Sequence, residues 1–139
     1  MKGQHRIINE ILIFTIGITI TSFVLVSFQN ISDGMSRIAV QDQLTSVSNL
    51  ISSGIIKVAG TQATVSLRIP RDVSGMMYKI HLEDNTVTLY TIENPILVSR
   101  QIFNIGHPYI IKGEVFSSAE YIDIKSDVSG IVIERSDFE

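Results

Sequence analysis

The sequence predicts an α+β chain in which a long N-terminal transmembrane helix is followed by an antiparallel β-sandwich-like domain. Three observations predict it. Residues 11–28 are 18 consecutive positions without a charge. A more polar stretch with helically spaced apolar residues follows, and from Ala63 onward apolar residues recur at every second position. The boundaries read as a cytoplasmic tip at 1–6, a transmembrane helix at 7–28, a helical stalk at 29–59 and an extracytoplasmic β-domain at 60–139.

The span comes first. From Ile7 to Phe28 there are 22 residues, which as a helix measure about 33 Å against roughly 30 Å of bilayer hydrocarbon. The β-branched content would favour a strand in water, but in lipid a single segment satisfies its own backbone only as a helix. The apolar run is longer than a secretory h-region and ends without a small-x-small cleavage site, so a retained anchor is expected over a cleaved signal. Lys2, His5 and Arg6 precede the span, whereas Gln29, Asn30, Ile31, Ser32 and Asp33 follow it. This asymmetry places the N-terminus in the cytoplasm and the C-terminal domain outside the cell membrane. Beyond residue 30 the chain holds nine basic and thirteen acidic residues, a balance that suits a solvated surface and disfavours anionic headgroups.

Within the span, Glu10 lies near the cytoplasmic edge, where a carboxylate reaches the interface. It reads either as an interfacial acid beside Arg6 or as a charge that registers the helix against a neighbour. Thr15, Thr19 and Ser22 follow at helical spacing, and Gly17 with Thr21 forms a small-xxx-small pair, so this surface would let another helix approach closely. Threonine hydroxyls bonded back to their own helix explain the same residues.

In the stalk, Ile31, Met35 and Ile38 share one face, and Val40, Leu44, Val47 and Ile51 another. At about 100° per residue the two stripes lie nearly opposite each other, which predicts two burial partners: neighbouring subunits for the lower stripe and the chain's own outer domain for the upper. A helix break near Gly34 is the rival reading. Gly54 and Gly60 are expected to close the helical region.

The strands follow. Ala63, Val65, Leu67 and Ile69 alternate with polar residues until Pro70. Tyr78, Ile80 and Leu82 do the same, and Glu83-Asp84-Asn85 turns the chain into Val87 and Leu89. Further strands are expected at Ile96–Phe103, Tyr109–Phe116, Tyr121–Lys125 and Ile131–Arg135, giving a sandwich or curled sheet of about six strands. The tetrapeptide Asp-Val-Ser-Gly occurs at 72–75 and 127–130, read as repeated turn chemistry.

Composition narrows the chemistry. The 139 residues suit one domain, no cysteine is present, and 11 Lys and Arg face 14 Asp and Glu for a net charge of −3. With no basic run, nucleic acid is not an expected partner. His81 and Glu83 share a strand face as half of a metal site, but no third ligand accompanies them, so neither metal nor cofactor is expected. His107 sits in the turn Gly106-His107-Pro108. No nucleophile elbow, phosphate loop or carboxylate couple is present, so no catalytic residue and no enzyme activity are expected. Asn30-Ile31-Ser32 is a glycosylation sequon on the outer side.

A charged tip (Lys2-Gly3-Gln4), Glu10, the Ile11–Phe28 run and a β-domain at the outer end of the helix together resemble the archaeal type IV pilin-like superfamily. This superfamily includes archaellins, adhesion pilins and archaellum accessory proteins of the flagellar F and G type. The resemblance implies a structural protein of the archaeal cell surface, a pilus or archaellum subunit or accessory. It would assemble with itself or with other pilin-like subunits through the N-terminal helix, aided by Glu10, and meet the surface-layer protein or enter an extracellular filament. It also implies processing by a class III signal peptidase between Gly3 and Gln4, although that cut leaves Glu10 seventh in the chain rather than at the family's usual fifth position. The alternative is a monomeric membrane-tethered β-sandwich module that binds an envelope polymer or a solute.

Overall fold

A computed structural model describes residues 2–103 and 110–136, with side chains from Ile7 onward. The expected turn at Gly106-His107-Pro108, the start of a strand at Tyr109, and the side chains of Gly3 and Gln4 lie outside the described residues. The contacts divide the chain into two units, Met1–Ser36 and Arg37–Glu139. A single helix α1, Lys2–Val58, contributes to both.

In the first unit α1 is apolar from Ile7 to Phe28, and none of those residues is buried. It is the one helix among the described residues long and apolar enough to cross a membrane. The backbone stays helical through Gly34, as the continuing stalk helix requires and against the rival reading of a break there.

In the second unit the remaining part of α1 is amphipathic. Val40, Leu44, Val47, Ile51, Ile55 and Val58 recur every three or four residues and are buried, the spacing of one helix face. They form one core with the inward residues of the strands. Gly54 does not close the helix as its sequence position suggested. It lies inside it, where a Cβ would stand 2.7 Å from the Cδ1 atoms of both Ile124 and Leu67, so its missing side chain lets the helix settle onto the sheet. Gly60 is the terminator, at φ +78°, and Thr61 returns both its N–H and its hydroxyl to the Val58 carbonyl at 3.0 Å.

Seven strands follow: β1 Thr64–Arg68, β2 Tyr78–Asp84, β3 Thr86–Thr91, β4 Leu97–Gln101, β5 Ile110–Phe116, β6 Tyr121–Ser126 and β7 Gly130–Arg135. They form one sheet in the order β1-β6-β7-β5-β2-β3-β4. The expected sandwich is therefore replaced by a single sheet, with the helix as the second layer. Period-two alternation requires one buried face and is silent on whether a sheet or a helix covers it. Every neighbouring pair is antiparallel except β5 with β7.

Alternation sets the two faces. Tyr78, Ile80 and Leu82 of β2 meet Thr91, Leu89 and Val87 of β3 on the buried side, while Lys79, His81 and Glu83 point to the open side. Tyr78 is fully buried, and its hydroxyl donates to the Pro70 carbonyl at 2.7 Å, which satisfies the polar end of an otherwise apolar residue. Burial first, and the Asp72 charge second, push its ionisation above the ordinary tyrosine range.

Candidate functional site

Of the residues the sequence singles out in the first unit, Glu10, Thr15, Gly17, Thr19, Ser22 and Asn30 are exposed along one unbroken helix. The Thr15 hydroxyl donates to the Ile11 carbonyl at 2.8 Å, Thr19 to Thr15 at 2.8 Å, and Thr21 to Gly17 at 2.9 Å. These hydroxyls are thus satisfied within their own helix, as back-bonded threonines are in apolar surroundings. What remains for a neighbour is shape. Around Gly17 no atom lies within 4 Å of where a Cβ would stand, so a second helix could approach that point closely.

On the open sheet face the register assembles a cluster that the sequence shows only in part. His81 and Glu83 sit two apart on β2, and Glu114 of β5 lies directly across from His81. His81 Nε2 is 3.4 Å from Glu83 Oε2, and His81 Nδ1 is 3.5 Å from Glu114 Oε2. A metal ion would need one ring nitrogen and both carboxylates converging on one point. Here the two carboxylates approach opposite nitrogens of the same ring, so they bracket the imidazole and leave no shared vertex. Among the described residues no group of three or more potential ligands is arranged to hold a metal.

Lys79 joins this cluster by pairing with Glu114. The hydrogen bond between them is the leading reason that the Lys79 ammonium is held above the ordinary lysine range and the Glu114 carboxyl below the ordinary carboxylate range. The same ammonium stands 5.0 Å from the Phe116 ring centre and 5.9 Å from that of Tyr90, the distances of cation–π contacts. Neither Glu114 nor Phe116 is close to Lys79 in sequence. Only the β2–β5 pairing brings them together, and no sequence signal announces that pairing.

The two Asp-Val-Ser-Gly turns use one device. Asp72 Oδ1 accepts the Gly75 N–H at 3.0 Å, and Asp127 Oδ1 accepts the Gly130 N–H at 3.1 Å. Asp127 also accepts from the Ser129 hydroxyl and N–H, both at 2.6 Å, and these bonds hold its carboxyl below the ordinary range. Near the first turn, a groove of about 420 Å³ runs between Gln43, Ser46 and Val47 of α1 and the Pro70–Ser74 loop. The Ser74 hydroxyl bridges it to Gln43 Oε1 at 3.4 Å.

The described residues therefore offer surfaces: an exposed helix face with a small-residue notch, and an open, charged and aromatic sheet face. No protein family, curated protein or solved structure matches this chain.

Proposed function

We propose that the chain is a membrane-anchored structural and interaction protein. Its apolar helix holds it in the bilayer, its sheet unit is presented outside, and it associates with other copies through the helix face that carries Glu10 and Gly17, in the manner of a pilin-like subunit or accessory. One observation carries the reading. Along the single helix α1, burial by the chain's own core begins at Val40, and no residue from Ile7 to Ala39 is buried. Apolar residues in that position need lipid or another copy to cover them.

Because the chain has no cysteine, single-cysteine variants report helix contacts directly. In membranes holding the full chain, Gly17→Cys is expected to form disulfide dimers on oxidation. Leu12→Cys, turned well away from Gly17 around the helix, is expected to form few, and Glu10→Gln should reduce the Gly17→Cys yield. Equal yields at both positions would mean random collision, and absence of dimers at both would leave a monomeric tethered module.

A further inference from the structure

We infer that the second unit pairs edge to edge with a second copy of itself: β1 of one chain lies antiparallel to β1 of the other about Ser66, so that two seven-stranded sheets continue into one. This contact lies within the sheet unit and does not rest on the helix association proposed above.

β1 and β4 are the two margins of the sheet. At β1 the bonds to β6 decide which backbone groups face outward. The Ala63 carbonyl accepts the Ser126 N–H at 3.0 Å, and the Ile69 N–H donates to the Glu120 carbonyl at 2.8 Å, both in the register that sets Ser66 against Asp123. The odd-numbered residues therefore bond to β6, and alternation turns the N–H and carbonyl groups of Thr64, Ser66 and Arg68 away from it. Among the described residues no strand meets them on that side. A row of such groups is a template for another strand.

The two margins differ in how they receive one. On β4, register sets Arg100 opposite the buried Val87, so a charge stands on the core side of that edge. Inward-pointing charges keep partners off an edge. β1 has none. Its core-side residues are Val65 and Leu67, half-buried and packed against the core, and its one charge, Arg68, lies on the open face over the Tyr121 ring.

The residues of β1 select a copy of the same strand as the occupant. Thr64-Val65-Ser66-Leu67-Arg68 alternates polar and apolar residues in the same way read from either end. Laid antiparallel, Ser66 meets Ser66, Thr64 meets Arg68 and Val65 meets Leu67. Polar residues then share the open face, apolar residues share the core side, and no charge faces its like. The outward groups of the two strands exchange about six backbone hydrogen bonds. The core side of the seam stays apolar beyond the strands. Leu67 abuts Gly54 of α1, and Leu50, one turn earlier on that flank of the helix, is 39% exposed. A second copy covers the open sides of Val65, Leu67 and Leu50 together, which is the apolar burial that favours association.

The test uses the full chain in vesicles, with single cysteines joined by a thiol reagent that spans about 5 Å, the reach between side chains directly opposite in a ladder. Ser66→Cys is expected to give covalent dimers in several-fold higher yield than Ser99→Cys at the middle of β4. A mixture of Thr64→Cys and Arg68→Cys chains is expected to cross-link several-fold better than either alone, because antiparallel register joins these two positions and holds each about 14 Å from its own copy. That mixture keeps the test open if Ser66→Cys, which gives up its bond to Asp123, fails to fold. Equal yields at Ser66→Cys and Ser99→Cys, or a mixture no better than its components, overturn the inference. Cross-links between Ser66→Cys and Ser99→Cys chains overturn it in favour of open-ended head-to-tail pairing. Gly17→Cys dimers without dimers at β1 overturn the edge pairing and leave the helix association standing, whereas dimers at β1 without Gly17→Cys dimers uphold the edge pairing and overturn the helix association.

Discussion

Gly113 stands against Ile133 across the parallel β5–β7 pair so closely that a Cβ on the glycine would lie 2.4 Å from the Ile133 carbonyl oxygen and 2.5 Å from its Cγ2. The Gly113 backbone also has φ +145°, a conformation that side chains disfavour. The obstacle is backbone, which cannot swing aside as a side-chain end can. Gly113→Ala should therefore destabilise the sheet unit by about 3 kcal/mol. Urea unfolding of the full chain in detergent, followed by circular dichroism, measures the effect, and an unchanged midpoint would refute the close approach.

Glycines in α1 should respond in opposite directions. Gly34→Ala meets open space and should stabilise the helix by up to about 1 kcal/mol through propensity alone. At Gly54 the atoms in the way are the mobile tips of Ile124 and Leu67, so Ala should change stability by no more than about 1 kcal/mol. Gly54→Leu should cost about 3 kcal/mol by lifting the helix from β1 and β6. Thermal unfolding of the three variants side by side gives the ranking, and a harmless Gly54→Leu would refute the contact.

The two stripes of α1 make a second contrast. Leu44 is fully buried, whereas Ile31 is 61% exposed. Leu44→Ala is expected to lower unfolding free energy by about 2–5 kcal/mol, and Ile31→Ala to change it by less than about 0.5 kcal/mol. Chemical denaturation under conditions where the chain is a single copy per micelle separates them, and equal effects would contradict the burial pattern.

The Lys79–Glu114 pair predicts a titration. The Glu114 carboxyl is held below the ordinary carboxylate range, so its contribution to folding is present above the ordinary value and is lost as pH falls through the depressed folded value. Lys79 is held above the ordinary lysine range, so its contribution is present below the ordinary value and is lost as pH rises through the raised one. Carbon-detected NMR should find the Glu114 midpoint below that of an unpaired glutamate, and Lys79→Met should return it upward. A midpoint that ignores Lys79→Met would rule out the pair as the cause.

How much of this was legible depended on how local the signal was. Tyr78, Ile80 and Leu82 announce a strand because alternation is a property of neighbouring residues, and Val40, Leu44, Val47 and Ile51 announce a helix face for the same reason. The partners of those faces are not local. Nothing near Ile111 says that it runs parallel to Ile131, and His81 with Glu83 reads as half of a metal site until register supplies Glu114 on the wrong side of the ring. Gly54 misled because a glycine near the expected end of a helix reads as a terminator, whereas here it serves a close contact with the sheet about one turn before the helix ends. The threonines of the span allowed two readings from sequence, and only coordinates display the hydroxyls turned onto their own carbonyls.

The position of β7 has a consequence for how the unit is made. It is the last of the seven strands to be synthesised, yet it lies inside the order, third from the β1 edge, between β6 and β5. Until it arrives, the chain holds two separate ribbons, a pair (β1 with β6) and a quartet (β5, β2, β3 and β4), each with a bare inner margin. The closing strand acts as a keystone, so a growing chain cannot complete its sheet on the way out and must hold both margins unjoined until Gly130–Arg135 slots between them.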